Sequence, residues 1–126
     1  MRDVPNKTIA LGRAGEQEAA EYLSNLGWQI VERNWRCPIG ELDICALAPN
    51  EFGAPTAVAV EVKTRSGLKF GDPLEAITWE KTARLRKLAA VWARSLDARH
   101  DGVRLDAVGV LKWRGRAVEI HHVMGL

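Results

Sequence analysis

The sequence predicts a mixed α/β fold, one sheet of about five strands flanked by helices. Two observations carry this prediction. Two stretches place apolar residues at helical spacing, and five shorter stretches between turn signals read as strands. Their order is helix, three strands, helix, two strands, which fits a single sheet covered by few helices.

Met1–Thr8 reads as a flexible tail. Gly12–Leu26 reads as a helix, because Ala19, Ala20, Leu23 and Leu26 recur at helical spacing and Gly27 suits the position just past a helix end. Trp28–Trp35 is the first strand, Cys37–Gly40 a turn, and Glu41–Leu47 the second strand. Pro49, Asn50, Gly53 and Pro55 make 48–56 a loop. Ala57–Lys63 is apolar enough for a central strand. Ser66–Pro73 is Gly-rich and reads as irregular. A second helix spans Trp79–Leu96, with Thr78 as its N-cap and a stripe of Leu85, Leu88, Ala89, Trp92 and Leu96. Arg104–Leu111 and Ala117–Val123 read as the last two strands.

A chain of 126 residues, 47% hydrophobic and 27% charged, is expected to form one domain over 1–126 with a substantial core. The net charge is +2, unevenly spread: residues 79–116 carry +6 and residues 1–78 carry −3. The basic part suits a polyanion, although solvated helix faces account for such charge equally well. Met1–Leu11 lacks the apolar stretch of a signal peptide and no run is long enough to span a membrane, so a cytoplasmic protein without a membrane partner is expected. Cys37 and Cys45 fit reduced thiols, and neither forms the CxxC of a zinc site.

The chemistry gathers in two strands. In Gly40-Glu41-Leu42-Asp43, alternation puts Asp43 on the face of Glu41 and sends Leu42 and Ile44 to the other face. In Glu61-Val62-Lys63, the Glu and Lys share a face opposite Val58, Val60 and Val62. Pairing these strands as a hairpin brings Asp43, Glu61 and Lys63 to one surface. Mg²⁺ or Mn²⁺ is met by one or two protein carboxylates, with water and substrate phosphate completing the shell. Lys63 could then orient the attacking water or stabilise developing charge. The competing reading is an ordinary ion pair of Lys63 with Glu61 or Glu41.

Glu16 lies three, four and seven residues before Ala19, Ala20 and Leu23, on the apolar helix face. A carboxylate aimed at the core needs a partner or a metal; stabilisation of the helix N-terminus is the alternative. Trp28 and Trp92 fall on apolar stripes and are expected in the core. Trp35, Trp79 and Trp113 adjoin basic residues and could stack on unpaired bases, with core or rim packing the preferred reading. His121 and His122 are adjacent, so on a strand they point to opposite faces and cannot chelate one metal together.

The ordered set Gly12-Arg13-Ala14-Gly15-Glu16, Arg33-Asn34-Trp35-Arg36, Gly40-Glu41-Leu42-Asp43, Glu61-Val62-Lys63-Thr64-Arg65, Phe70-Gly71-Asp72-Pro73 and Arg104-Leu105-Asp106 resembles the YraN-like family of small bacterial proteins. That family is similar to endonucleases of the PD-(D/E)XK superfamily, archaeal Holliday-junction resolvases included. The resemblance implies a restriction-endonuclease-like fold. It also implies metal-ligand roles for Asp43 and Glu61, a catalytic lysine in Lys63, and a helix carboxylate in Glu16 that adds to the metal site. Related resolvases act as dimers, which implies a homodimer. The expected function is Mg²⁺- or Mn²⁺-dependent hydrolysis of DNA phosphodiesters, on branched or flapped DNA by structure rather than by sequence. Arg36, Arg65, Lys81, Arg84, Arg86, Lys87, Arg114 and Arg116 are the expected phosphate contacts. The competing function is a non-catalytic nucleic-acid-binding or protein-interaction module that keeps the fold.

Overall fold

The computed structural model describes residues 3–67 and 72–126, so Phe70 and Gly71 lie outside the described residues. Helix α1 spans Asp3–Asn25, starting well before the expected Gly12 and converting most of the expected tail into helix. Pro5 is compatible with this, because a helix's first turn leaves its backbone N–H groups unpaired and tolerates a residue that has none. At the other end Gly27 adopts φ 89° and its N–H donates to the Ser24 carbonyl at 2.9 Å. The Trp28 N–H then donates to the Leu23 carbonyl at 3.1 Å, and the two side chains pack in the same core. This glycine-terminated cap with its apolar contact turns the chain directly into the sheet.

Strands β1 (Gln29–Cys37), β2 (Gly40–Ala48) and β3 (Thr56–Arg65) follow, then helix α2 (Trp79–Ser95), β4 (Val103–Leu111) and β5 (Glu119–Val123). The strands lie in chain order across one sheet. The β1–β2, β2–β3 and β4–β5 pairs are antiparallel, while β3 and β4 are parallel, joined through α2. A short 3₁₀ helix, Pro73–Ala76, begins at the last residue of the stretch expected to be irregular. Asp72 caps it, accepting from the Leu74 N–H, while Glu75 accepts from the Asp72 N–H. The expected Thr78 cap of α2 is present, its hydroxyl accepting from the Lys81 N–H at 3.2 Å.

Two apolar layers sandwich the sheet. On one face Ala19, Ala20 and Leu23 of α1 pack on Val58, Val60, Val62, Val108 and Val110. On the other, Leu85, Leu88, Ala89 and Trp92 of α2 pack on Leu42, Cys45, Leu47, Ala57, Ala59 and Leu105. Strand β3 is therefore covered on both sides, as its near-continuous apolar run requires. Both cysteines are free, and burial pushes the Cys45 thiol up to about 12. Trp28 and Trp92 are buried as expected, whereas Trp79, at the first position of α2, is 79% exposed and packs in neither layer. A five-stranded mixed sheet with helices on both faces is a restriction-endonuclease-like architecture. Among the described residues no helix is long and apolar enough to cross a membrane.

Candidate active site

The β2–β3 ladder runs from Ala48↔Thr56 to Ile44↔Val60 and stops one residue short of Asp43. There the Asp43 carboxylate takes over, accepting the Val62 backbone N–H through Oδ2 at 2.8 Å. The other edge of β2 is irregular at the same level. Arg33↔Ile44 and Trp35↔Leu42 flank the position where Asn34 faces Asp43, and Asn34 has φ 54°. Asn is among the few residues that tolerate this left-handed backbone. The ribbon changes face at this point. Leu42 and Trp35 pack in the α2 layer, while Ile44 packs in the α1 layer and Arg33 reaches Gln17 and Glu16 of α1. The expectation that Leu42 and Ile44 share a face is thus overturned: β2 changes face around Asp43, level with the left-handed Asn34 of β1.

On β3 the alternation holds. Glu61 and Lys63 continue the row of Ala57 and Ala59 toward α2, with the Lys63 Nζ 3.4 Å from the Glu61 Oε2. Asp43, Glu61 and Lys63 line one cleft of about 500 Å³ together with Glu41 and, from α2, Lys81 and Arg84. Burial first, then the charge of Asp43 and hydrogen bonding with its carboxylate, push Glu61 up to about 7, against the opposing pull of Lys63. The two acids are crowded into a site that compensates their charge incompletely.

Glu16 approaches Asp43 from α1 but does not line the cleft. Gly15 places the helix there: a Cβ on it would lie 1.8 Å from the Thr64 Oγ1 of β3, so only glycine allows this approach. Burial raises the Glu16 pKa, and Asp43 raises it further, while Arg33 and Asn34 pull the other way. Its closest ion pair is with the Arg33 Nη2 at 3.8 Å. Among the described residues no three His, Cys, Asp or Glu side chains stand together as a ready metal cage. The donor set that does converge is Asp43 and Glu61, two hard oxygen ligands with no thiolate or imidazole lining the cleft. That set fits Mg²⁺ or Mn²⁺, which keep several waters, far better than Zn²⁺.

Of the basic residues expected to meet phosphate, Lys81 and Arg84 line the cleft. The others are placed elsewhere. Arg36 pairs with Glu41 at 2.9 Å, and Arg86 donates to the Leu126 carbonyl at 2.7 Å. Lys87 is exposed on α2. Arg114 and Arg116 sit in the β4–β5 turn, where Arg116 stacks 5.2 Å from the Trp113 ring centre. Arg65, at the end of β3, donates to the Thr64 carbonyl, and its Nε is buried without a partner among the described residues. His121 and His122 do diverge as expected: His121 meets Glu119 and Asp72, whereas His122 turns inward.

Sequence reasoning missed what His122 turns toward. Asp106, fully buried in β4, accepts from the Arg104 Nε at 2.8 Å and Nη2 at 3.0 Å, from the Gly125 N–H at 3.1 Å, and from the His122 Nε2 at 2.8 Å. The His122 Nδ1 faces the Tyr22 hydroxyl of α1 at 2.9 Å, and the ring stands edge-on to Tyr22 and Trp28. The available signal was a lone acid in the apolar strand Leu105-Asp106-Ala107-Val108, which has to be paired if buried.

The open mixed sheet with acids and a lysine at the end of its central hairpin defines an α/β protein of the PD-(D/E)XK nuclease-like group. The family described as "Uncharacterised protein family UPF0102" matches residues 15–110, and the chain belongs to that YraN-like family. A UPF0102 protein of Beutenbergia cavernae is 49% identical over 117 residues, covering 93% of this chain and 95% of its own. Those of Mycolicibacterium smegmatis and Clavibacter michiganensis subsp. michiganensis are 47% and 50% identical, covering 92% and 83% of this chain and 91% and 85% of their own.

Proposed function

We propose that the cleft hydrolyses DNA phosphodiester bonds with Mg²⁺ or Mn²⁺ held by Asp43 and Glu61. The observation that carries this reading is the convergence of those two carboxylates with the Lys63 amine in one cleft whose α2 wall supplies Lys81 and Arg84. The Val62 N–H fixes one Asp43 oxygen and leaves the other for a cation. When bound, the metal would polarise the phosphodiester and lower the pKa of a coordinated water. Lys63, free of any ligand role, holds a positive charge where negative charge develops and orients the attacking water. Lys81 and Arg84 hold the flanking phosphates. Glu16, paired with Arg33, would add a third carboxylate beside Asp43 when the metal is bound.

The test is a panel of linear, flapped and four-way DNA substrates with Mg²⁺ or Mn²⁺. The wild type is expected to cleave, Asp43→Ala to lose both cleavage and the Mn²⁺-induced rise in melting temperature, and Lys63→Ala to lose cleavage alone. DNA affinity should fall steeply with salt, by about 0.9 log units per log unit of salt for each phosphate contact on a duplex. Replacing Lys81 and Arg84 by Ala should flatten that dependence. Absence of wild-type cleavage on every substrate would favour the non-catalytic module.

A further inference from the structure

The β1–β2 hairpin ends in a turn of only two residues. Its ladder closes at Cys37↔Gly40, leaving Pro38 and Ile39 beyond the last pair. Proline fixes its own backbone angle. Gly40 has φ 153°, and a Cβ there would lie 2.9 Å from the Leu88 Cδ1 of α2, so the base of the tip is seated against the helix. The tip is therefore short, stiff and anchored. Ile39 is 61% exposed, and it lines the same cleft as Asp43, Glu61 and Lys63.

This combination asks for a particular kind of substrate. The α2 wall presents cations, which match a phosphate backbone. The hairpin wall presents an apolar side chain, for which phosphate offers no partner. What an exposed isoleucine on a rigid tip does match is the face of a base whose neighbour has moved away, and aliphatic wedges of this type enter base steps and unstack them. Unstacking is least costly where a base is mismatched, damaged or already single-stranded. Resting on the nuclease reading above, we infer that Pro38–Ile39 is a wedge. It enters an open base step beside the bound backbone, so the site selects DNA opened at a flap or branch over continuous duplex.

The test uses 2-aminopurine, whose fluorescence rises on unstacking, placed at the branch of a flapped duplex and at the matching position of a continuous one. Each is titrated with the full chain in Ca²⁺, which neutralises the carboxylates. Fluorescence is expected to rise with the flapped probe. Ile39→Ser, at an exposed turn position and with its folding checked by thermal melts, is expected to abolish the rise and narrow the affinity gap between the two DNAs. Arg84→Ala is expected to weaken both DNAs and keep the rise at saturation. Salt-dependent binding without a fluorescence rise, or a rise that survives Ile39→Ser, would overturn the wedge and leave the nuclease reading standing. Failure to bind either DNA would remove both.

Discussion

Asp106 in β4 and Glu61 in β3 lie on adjacent strands and keep different company. Burial alone would raise the pKa of each. At Asp106, hydrogen bonds from Arg104, His122 and the Gly125 N–H, with the Arg104 charge, outweigh burial and lower it. At Glu61 burial is reinforced by Asp43, Lys63 compensates only in part, and the pKa rises to about 7. An acid with both oxygens filled by protein donors has nothing left to offer a ligand. A crowded pair with surplus charge can still accept a cation. The contrast separates a carboxylate saturated by protein donors from one that is not within a single sheet, and α1 sends Tyr22 toward the first and Glu16 toward Asp43 beside the second.

The largest effect should come from breaking the saturated cluster. Asp106→Ala leaves Arg104 and His122 without their anion, and removing one partner of a buried ion pair costs about 3–5 kcal/mol. Chemical denaturation measures this; a loss within about 0.5 kcal/mol, typical of surface sites, would show that Asp106 does not anchor β5 and α1. The two clusters should also respond to pH with opposite sign. The folded state holds a proton on Glu61 that the unfolded state releases between pH 4.5 and about 7, so metal-free stability should fall as pH rises through that window. Asp106 behaves in reverse, its contribution being lost as pH drops below its ordinary 3.8. Glu61→Gln should remove the neutral-range slope and keep the acid one; an unchanged neutral slope would assign it to another group. The smallest of these effects concerns the helix common to both regions. Gly15→Ala drives a methyl into Thr64, and such overpacking typically costs about 1–3 kcal/mol. Because the clash lies beside Glu16, Mn²⁺ affinity should drop as well, and a variant unchanged in both stability and Mn²⁺ affinity would detach α1 from the site.

Much of this was legible in the residues themselves. Apolar spacing located α2 and its Thr78 cap, and period-two alternation put Glu61 and Lys63 on the face opposite Val58, Val60 and Val62. The sequence order of Asp43, Glu61 and Lys63 was enough to expect one site. The start of α1 was not legible, since its first turns lack the apolar stripe that marks residues 19–26. Nor was the face change of β2 between Leu42 and Ile44, which no hydrophobic pattern announces. The Asp106 cluster joins Tyr22 to His122 across a hundred positions of chain, and long-range pairing of this type leaves only an unexplained acid in a strand. Trp79 shows the opposite failure: a large aromatic expected to pack stands in solvent.

The face change of β2 around Asp43 has a thermodynamic consequence as well as a geometric one. Leu42 and Ile44 are two positions apart on β2, yet they belong to separate cores with different helices above them. Leu42 and Leu88, far apart in sequence, belong to the same one. Distance along the chain is therefore a poor guide to energetic coupling in this sheet. Truncations at Leu42 and Ile44 should add nearly independently, whereas truncations at Leu42 and Leu88 should be coupled, by on the order of 0.5–3 kcal/mol for residues in contact. A single strand is thus divided between two apolar layers, with Asp43 at the seam.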